Sequence, residues 1–208
     1  IKVIGVEPAG AACMKASLEK GEVVTLPHVN TIADGTAVQT PGSHIFPYIQ
    51  ENLDEIITVE DDELIVAFLD MVENHKMIVE NSGLLTVAAL RHLDFKNKKV
   101  VSILSGGNMD VITMSSVVQH GLIQRDRIFT VSVLIPDKPG ELVRVASIIA
   151  ENQGNVIKLD HNQFVSTNRN AAVELRITME AFGTDHKNQI VAALEKAGCK
   201  PRVVRAIL

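Results

Sequence analysis

Residues 104–110, with the sequence LSGGNMD, combine residue types that could do chemistry at a bound ligand. Ser105 is predicted to stand where a strand ends, and the pair Gly106 and Gly107 lets the backbone turn sharply and approach a ligand closely. A serine hydroxyl in such a turn can donate or accept a hydrogen bond. The alternative is an ordinary strand-to-helix turn in which Ser105 or Asn108 caps the next helix. These four residues alone do not separate the two interpretations.

Two more segments contain acidic side chains that could line a pocket. Asp34 and Gly35 form a dipeptide that is typical of a simple turn and also of a loop at a ligand site. Glu80, in VENSG, is equally consistent with a pocket carboxylate and with an acidic residue at a helix N-terminus, where the helix dipole favours negative charge.

The segment DKPGEL, residues 137–142, is typical of an anion site. Pro139 and Gly140 fix a turn at the start of a helix, whose free N–H groups can hold an amino-acid carboxylate. Asp137 could pair with the ammonium group of the same ligand. The alternative is that Asp137 only caps the helix.

Composition excludes several classes of protein. With 208 residues, 46% of them apolar and 22% charged, the chain has room for one large or two small globular domains. Its apolar stretches are far shorter than the roughly 18 residues of a membrane span, and no basic leader opens the chain. Two distant cysteines, Cys13 and Cys199, do not suggest a disulfide framework and favour the cytoplasm. A net charge of −5 and few aromatic residues argue against nucleic acid and favour a small-molecule partner.

Charge divides the chain near residue 126. Residues 1–126 carry 9 basic and 17 acidic side chains, net −8, whereas residues 127–208 carry 11 and 8, net +3. In the first part the strand patterns KVIGVE, EIITVE and KKVVSIL alternate with helical ones, which is typical of a parallel α/β sheet. Residues 60–63, all Asp or Glu, place carboxylates at the start of one helix, where the helix dipole favours negative charge. Three strands do not complete such a core, so more of the sheet is expected upstream of Ile1.

The second part predicts the order β-α-β-β-α-β. Residues 129–135 and 173–179 alternate apolar with polar side chains, and helical stripes follow each of them. Strands are also expected at 156–164 and 201–207. Two βαβ-like units within about 80 residues suggest a ferredoxin-like sandwich. One face of its sheet would lie under two helices, and the polar face would be free for solvent or another subunit.

Taken together, four ordered segments resemble the C-terminal half of the catalytic domain of the threonine dehydratase (threonine ammonia-lyase) family. These segments are GVEPAGAACMKASL at 5–18, TIADGTAVQTPG at 31–42, VENSG at 79–83 and LSGGNMD at 104–110. DKPGEL in its βαββαβ context is similar to an ACT domain, an amino-acid-sensing module. The resemblance implies an α/β protein: an incomplete three-layer parallel sheet of the fold type II pyridoxal-phosphate enzymes over 1–126, and a ferredoxin-like ACT domain over 127–208.

The resemblance also implies roles for the candidate residues. Ser105 would offer its hydroxyl to the pyridine nitrogen of pyridoxal 5'-phosphate, and a neutral hydroxyl does not hold that nitrogen protonated, which favours elimination over transamination. The implied cofactor-binding residues are Ser105, Gly106, Gly107, Asn108 and Glu80. The implied substrate-pocket residues are Asp34 and Gly35.

Two further sites follow from the resemblance. An effector site for a branched-chain amino acid would use Asp137, Pro139, Gly140 and, with one residue of slack, Asn155, in a homo-oligomer paired through its ACT domains. Glu7 and the backbone of Ala11 match a segment that binds a divalent cation in some relatives. Cys13 stands where that site has a further carboxylate, which argues against the cation because hard cations prefer oxygen. A buried small cysteine is the simpler account of Cys13.

In this family the Schiff-base lysine and the phosphate-binding glycines lie upstream of the matched segments, so no catalytic residue is expected in this chain and it is expected to be inactive alone. The complete protein is expected to convert L-threonine to 2-oxobutanoate and ammonia. A serine dehydratase or racemase is an alternative, because one methyl group in a pocket is worth only about 1 to 3 kcal/mol. A non-catalytic amino-acid-binding regulator is another.

Overall fold

A computed structural model of the chain describes residues 1–163 and 173–206. The chain divides into two compact units, Ile1–Val118 and Gln119–Leu208. The boundary predicted at residue 126 lies within the second of these units. In the described part of the chain, no helix has the length and apolar character needed to cross a membrane.

The first unit is built on two parallel strands with helices around them. Strand β1 (Ile4–Pro8) pairs with β2 (Glu55–Val59), and Ile4 lies opposite Glu55. The helices, joined by short 3-10 and π turns, are α1 (Cys13–Lys20), α2 (Phe46–Asn52), α3 (Asp61–Asp70), α4 (Leu85–Ala88) and α5 (Val111–Gln124), of which α5 continues past Val118 into the residues of the second unit.

Helix α3 forms the centre of the first core. Leu64 and Phe68, one helical turn apart, are completely buried and pack with Val59 and Leu84. The helix begins with a capping box, in which the backbone N–H of Glu60 donates to Glu63 Oε2 at 2.8 Å. The capped helix start predicted at residues 60–63 is therefore confirmed.

The third strand predicted in this unit does not form. Residues 98–104 have no regular secondary structure, and the side chains of Val101 and Ile103 are 88% and 72% exposed. A strand needs a neighbour to share its backbone hydrogen bonds, and among the described residues β1 and β2 pair only with each other. The strand predicted from KKVVSIL is therefore wrong for this structure, because no partner strand lies beside this segment among the described residues.

The second unit is a four-stranded antiparallel sheet with two helices. Its neighbouring strands follow the order β4-β5-β3-β6. The elements, in the predicted β-α-β-β-α-β sequence, are β3 (Ile128–Ile135), α6 (Glu141–Glu151), β4 (Asn155–Asn162), β5 (Val173–Glu180), α7 (Thr184–Lys196) and β6 (Arg202–Val204). Phe164 and Ile207, at the predicted ends of two strands, lie outside the described residues.

One face of this sheet forms the second core. Val131 and Ile177 from the central strands are completely buried and belong to one cluster with Val145 and Ile149 of α6 and Ile190 of α7. Alternation along the strands places these apolar side chains on a single face.

The opposite face is less open than the sequence predicts. Thr130, Ser132 and Thr178 are only 5%, 8% and 3% exposed. The hydroxyl groups of Thr130 and Thr178 share a hydrogen bond of 2.8 Å, and Ser132 donates to Glu174 at 2.6 Å. Because these polar groups satisfy one another, their burial is tolerated. The prediction that the whole polar face is free is therefore wrong at its centre.

Candidate functional site

Three of the predicted site residues line one cleft in the first unit. The cleft has a volume of about 400 Å³, and Asp34, Glu80 and Asn108 are among its lining residues. Its other polar side chains are Thr31, Asn81, Asp110, Thr113 and Ser116. The cleft thus brings together residues from segments that the sequence keeps far apart.

Glu80 organises the turn at residues 105–108. Its carboxylate Oε2 accepts a hydrogen bond from the backbone N–H of Asn108 at 3.1 Å, and its own N–H donates to the carbonyl of Gly106 at 3.4 Å. Gly106 has a φ of 76°, and a Cβ at this position would overlap the Glu80 carboxylate. Both the backbone conformation and the close approach therefore require glycine.

Ser105 is exposed at the start of this turn. Its side chain makes no hydrogen bond within the described part of the chain, whereas its carbonyl lies so close to Gly83 that a Cβ there would overlap it. The backbone of Ser105 is thus fixed while its hydroxyl stays available to a ligand.

Asp110, rather than Ser105 or Asn108, caps the following helix. Its Oδ1 accepts hydrogen bonds from the backbone N–H groups of Ile112 at 2.8 Å and Thr113 at 3.0 Å. The hydroxyl of Thr113 also donates to this carboxylate and is the main reason that the pKa of Asp110 lies below its ordinary value. The spacing of Asp110 and Thr113 is a capping signal that the sequence analysis missed.

Asp34 and Gly35 lie in a 3-10 turn, Asp34–Thr36, beside the Glu80 segment. The N–H of Gly35 donates to Asp34 Oδ1 at 2.9 Å. A Cβ on Gly35 would lie 2.9 Å from Ser82 Oγ and 3.8 Å from Glu80 Oε1. The predicted substrate-pocket turn therefore lies next to Ser82 and close to the predicted cofactor-binding carboxylate of Glu80.

Asn81 is a cleft residue that the sequence analysis missed. It is only 4% exposed, and its Nδ2 donates to the carbonyl of Ile32 at 3.0 Å. Its Oδ1, like the hydroxyl of Ser82, is buried with no hydrogen-bond partner among the described residues. Buried polar atoms are normally paired, so unpaired ones beside a cleft are typical of a ligand site.

The structure gives Glu7 a role within the fold. Its two carboxylate oxygens accept hydrogen bonds from the N–H groups of Met14 and Lys15, at 2.9 and 2.8 Å, at the start of α1. Cys13 is buried, and this burial, with the charge of Glu7 beside it, raises the pKa of its thiol. Ala11 is buried as well. In residues 1–163 and 173–206, no cluster of three or more His, Cys, Asp or Glu side chains could hold a metal ion.

The predicted effector residues do not come together within one copy of the chain. Asp137, Pro139 and Gly140 are exposed in the turn that follows β3, and no side chain caps α6. Asn155 begins β4 at the opposite end of the sheet, where it pairs with Glu180 and donates to its carboxylate at 2.7 Å. At about 3.3 Å per residue, the length of β3 separates the two places by roughly 25 Å.

Comparison with known proteins adds to this geometry. Residues 1–106 match the family described as "Pyridoxal-phosphate dependent enzyme". The chain belongs to this family. The L-threonine ammonia-lyase of Geobacter sulfurreducens is 36% identical over 200 residues, which are 95% of this chain and 50% of that protein. The chain spans about half the length of the curated relatives it matches.

Two solved structures are similar to the chain. The processed form of threonine deaminase isoform 2 from Solanum lycopersicum matches with a TM-score of 0.53 and 36% identity, over 57% of this chain and 36% of that chain. Maize serine racemase matches with a TM-score of 0.51 and 34% identity, over 58% of this chain and 40% of that chain. The matched part of the chain therefore shares the α/β fold of these proteins.

Pyridoxal phosphate is the cofactor that this family membership indicates. The cleft residues fit such a group. Asn81 in the cleft has an unpaired buried oxygen, and the turn beside the cleft, held by Glu80, has glycine at 106 and an available hydroxyl at Ser105. Together these features suit a planar, polar ligand.

Proposed function

We propose that the complete protein is a pyridoxal-phosphate-dependent threonine ammonia-lyase, which converts L-threonine to 2-oxobutanoate and ammonia. In this proposal residues 1–118 supply one wall of its cofactor cleft. The observation that carries the proposal is the exposed hydroxyl of Ser105 on a turn held by Glu80. Further support comes from relatives named L-threonine ammonia-lyase, which are 36% and 32% identical to nearly the whole chain.

The residues of this chain would act by positioning. Bound pyridoxal phosphate supplies an electron sink for the bond that breaks at the substrate's α-carbon. The hydroxyl of Ser105 would hydrogen bond the ring nitrogen without forcing a proton onto it, because a hydroxyl is neutral. Glu80, Gly106, Gly107 and Asn108 would hold that hydroxyl in place. This arrangement favours elimination of the substrate hydroxyl over transamination.

Asp34 and Gly35 would form the edge of the substrate pocket. Their turn lies beside Glu80 and lines the same cleft, so a ligand in the cleft would contact both segments. A carboxylate at this edge can accept a hydrogen bond from a substrate ammonium or hydroxyl group. The same cleft would admit serine. A serine dehydratase or a serine racemase would therefore use the same site and would be distinguished only by its product.

Expression of the gene with its upstream region tests this proposal. We expect the purified protein to take up pyridoxal phosphate, seen as visible absorbance, and to release a 2-oxo acid from L-threonine. Parallel assays with L-serine for pyruvate and for D-serine distinguish the alternatives. Failure to take up the cofactor contradicts the proposal, whereas D-serine formation without oxo-acid release would make the protein a racemase.

We also propose that residues 127–208 form an ACT domain that senses an amino acid in a homo-oligomer. The βαββαβ order, the sheet order β4-β5-β3-β6 and the exposed turn before α6 support this. A site that uses both the turn at 137–140 and Asn155 would need two copies, because one copy keeps them at opposite ends of the sheet. A monomer in light scattering at micromolar concentration would contradict the pairing.

A regulator without catalysis is the second candidate function. It is favoured by the exposed turn at 137–140, which is available without any contribution from the first unit. In that case branched-chain amino acids would bind the chain in calorimetry while the complete protein takes up no cofactor.

A further inference from the structure

The second unit contains a cleft that none of the predicted sites uses. It has a volume of about 670 Å³ and lies at the edge of the sheet near β6. We call it the edge cleft; its lining residues include Ser132, Leu134, Arg144, Glu174, Lys200 and Arg202, together with Pro136, Glu141, Gly198 and Cys199. Most of these residues come from β3, α6, β5 and the segment that leads into β6.

The edge cleft exists because β6 is short. It pairs with β3 only at three residues, from Thr130 to Ser132. Beyond Ser132, the outer edge of β3 has no neighbouring strand among the described residues, and the chain at Gly198–Arg202 forms the opposite wall. An open strand edge of this kind is a recess with polar backbone on one side.

The cations in the edge cleft outnumber the groups that neutralise them. Arg144 is held by Glu141, at 2.8 and 3.0 Å, and by the carbonyl of Ala197 at 3.1 Å. Lys200 and Arg202 are exposed and make no ion pair or hydrogen bond through their side chains within the described part of the chain. With three cations and two carboxylates, Glu141 and Glu174, the lining carries a net charge of +1, and the two unpaired cations attract an anion.

Its carboxylates, in contrast, already have donors. Glu174 accepts a hydrogen bond from Ser132 at 2.6 Å and pairs with Arg176 at 3.1 Å. Glu141 forms an ion pair with Arg144 at 2.8 Å. A ligand ammonium group would therefore have to displace these donors from the carboxylates. It would also be repelled by the positive charges of Lys200 and Arg202.

We propose that the edge cleft binds a short aliphatic carboxylate that carries no ammonium group, such as a 2-oxo acid. The carboxylate would pair with Lys200 and Arg202, and the guanidinium offers a planar fork that suits it. The aliphatic chain would pack on Leu134 and Pro136, the apolar part of the lining. A phosphate ion would satisfy the cations but would leave these apolar contacts unused.

The lining of the edge cleft contains none of the predicted effector residues, although Pro136 and Glu141, on either side of the turn at 137–140, belong to it. The edge-cleft proposal does not rest on the lyase proposal. A 2-oxo acid is nevertheless the product class of that reaction. If both proposals hold, the product of the lyase binds the edge cleft. A reaction that consumes the 2-oxo acid then lowers the occupancy of the cleft.

The test is calorimetric titration of the full chain with 2-oxobutanoate, 2-aminobutanoate and inorganic phosphate. The first two differ only in the group at the α-carbon, so the comparison isolates the effect of the ammonium group. We expect 2-oxobutanoate to bind about tenfold more tightly than either of the others, because it meets both the charge and the apolar lining. No binding of 2-oxobutanoate, or equal binding of phosphate, would overturn the proposal.

Variants locate the site. Lys200→Gln and Arg202→Gln are each expected to weaken 2-oxobutanoate binding about tenfold, whereas Lys158→Gln, on the far edge strand β4, should change it less than about twofold. Asp137→Asn serves as the control for the turn at 137–140. If Asp137→Asn weakens binding and Arg202→Gln does not, the edge-cleft assignment is wrong. Lys200→Arg, which keeps the charge, should retain most of the binding and show that the fold is intact, whereas Arg202→Lys should lose part of it because an ammonium group lacks the planar fork.

Because these titrations involve no cofactor and no turnover, their failure says nothing against the lyase. Failure of cofactor uptake likewise says nothing against the proposed site in the edge cleft.

Discussion

The backbone of Gly106 lies against the carboxylate of Glu80 so closely that a side chain at position 106 would overlap it. The same carboxylate accepts the N–H of Asn108, 28 positions away in the sequence. One acidic side chain thus fixes both ends of the turn that follows Ser105.

Gly106→Ala is predicted to destabilise the protein by about 2 to 4 kcal/mol, because it adds strain at a positive φ to an overlap with Glu80. Gly107→Ala is the matched control, since a Cβ there meets nothing within 4 Å. Urea unfolding measures both. The double variant Gly106→Ala with Glu80→Ala should recover part of the loss, and equal effects of the two alanine variants would contradict the contact.

Ser105→Ala is predicted to leave the free energy of unfolding within about 0.5 kcal/mol of the original, because the side chain is exposed and unpaired. In the complete protein it should lower oxo-acid release from L-threonine about tenfold, the cost of one hydrogen bond to the cofactor. Ser43→Ala, at an exposed serine outside the cleft, should do neither. Unchanged turnover with Ser105→Ala would remove the hydroxyl from the proposed mechanism.

Asp126 is predicted to stabilise the second unit in a pH-dependent way. Burial alone would raise its pKa, but hydrogen bonds from Lys187 at 2.7 Å and Thr184 at 2.8 Å outweigh this and hold the pKa below its ordinary value. Its contribution is therefore present above the unfolded pKa of about 3.9 and is lost as the pH falls through the lower folded value. Asp126→Asn should cost about 1 to 2 kcal/mol at neutral pH.

The measurement is chemical unfolding of the original chain and Asp126→Asn across acidic pH. The difference between them should shrink as the pH drops below about 4. Glu195→Gln, at an exposed carboxylate of the same helix as Lys187, should show no such difference. A gap that stays constant with pH would mean that the charge of Asp126 is not what matters.

Glu7→Ala is predicted to cost about 1 to 2 kcal/mol, because two N–H groups at the start of α1 lose their acceptor. Glu7→Gln, which keeps one acceptor oxygen, should cost less. Since both oxygens of Glu7 are already engaged, EDTA or added Mg²⁺ should leave the melting temperature unchanged. A rise with Mg²⁺ that disappears in Glu7→Gln would instead identify the divalent-cation site that the resemblance implies.

Much of the second unit follows from local patterns. Alternation at 129–135 and 173–179 predicts β3 and β5 because each has a buried and a polar face. The burial of Thr130 and Thr178 could not be predicted, since it depends on a cross-strand hydrogen bond between residues 48 positions apart. The strand expected at 98–104 does not form, for the opposite reason. Its strand pattern can be read within the segment, but a strand also needs a neighbouring strand, and the segment itself does not show whether one is present.

The cofactor cleft could be predicted only in part. The resemblance named Ser105, Glu80 and Asp34, and the structure places Glu80 and Asp34 in one cleft with the Ser105 turn beside them. Asn81 was missed because a single asparagine in VENSG gives no signal of burial. Lys200 and Arg202 were missed because isolated cations near a chain end look like ordinary surface residues, and only the short β6 turns them into a recess.

The unpaired apolar segment at 98–104 has a practical consequence. Val101 and Ile103, with Val111 and Ile112 of α5 at 78% and 83% exposure, present a group of apolar side chains to water. The fluorescent dye ANS reports such hydrocarbon whether or not a protein is intact. Bright ANS emission from this chain should therefore be taken as a property of its native surface, and folding should be judged by near-UV circular dichroism or amide dispersion.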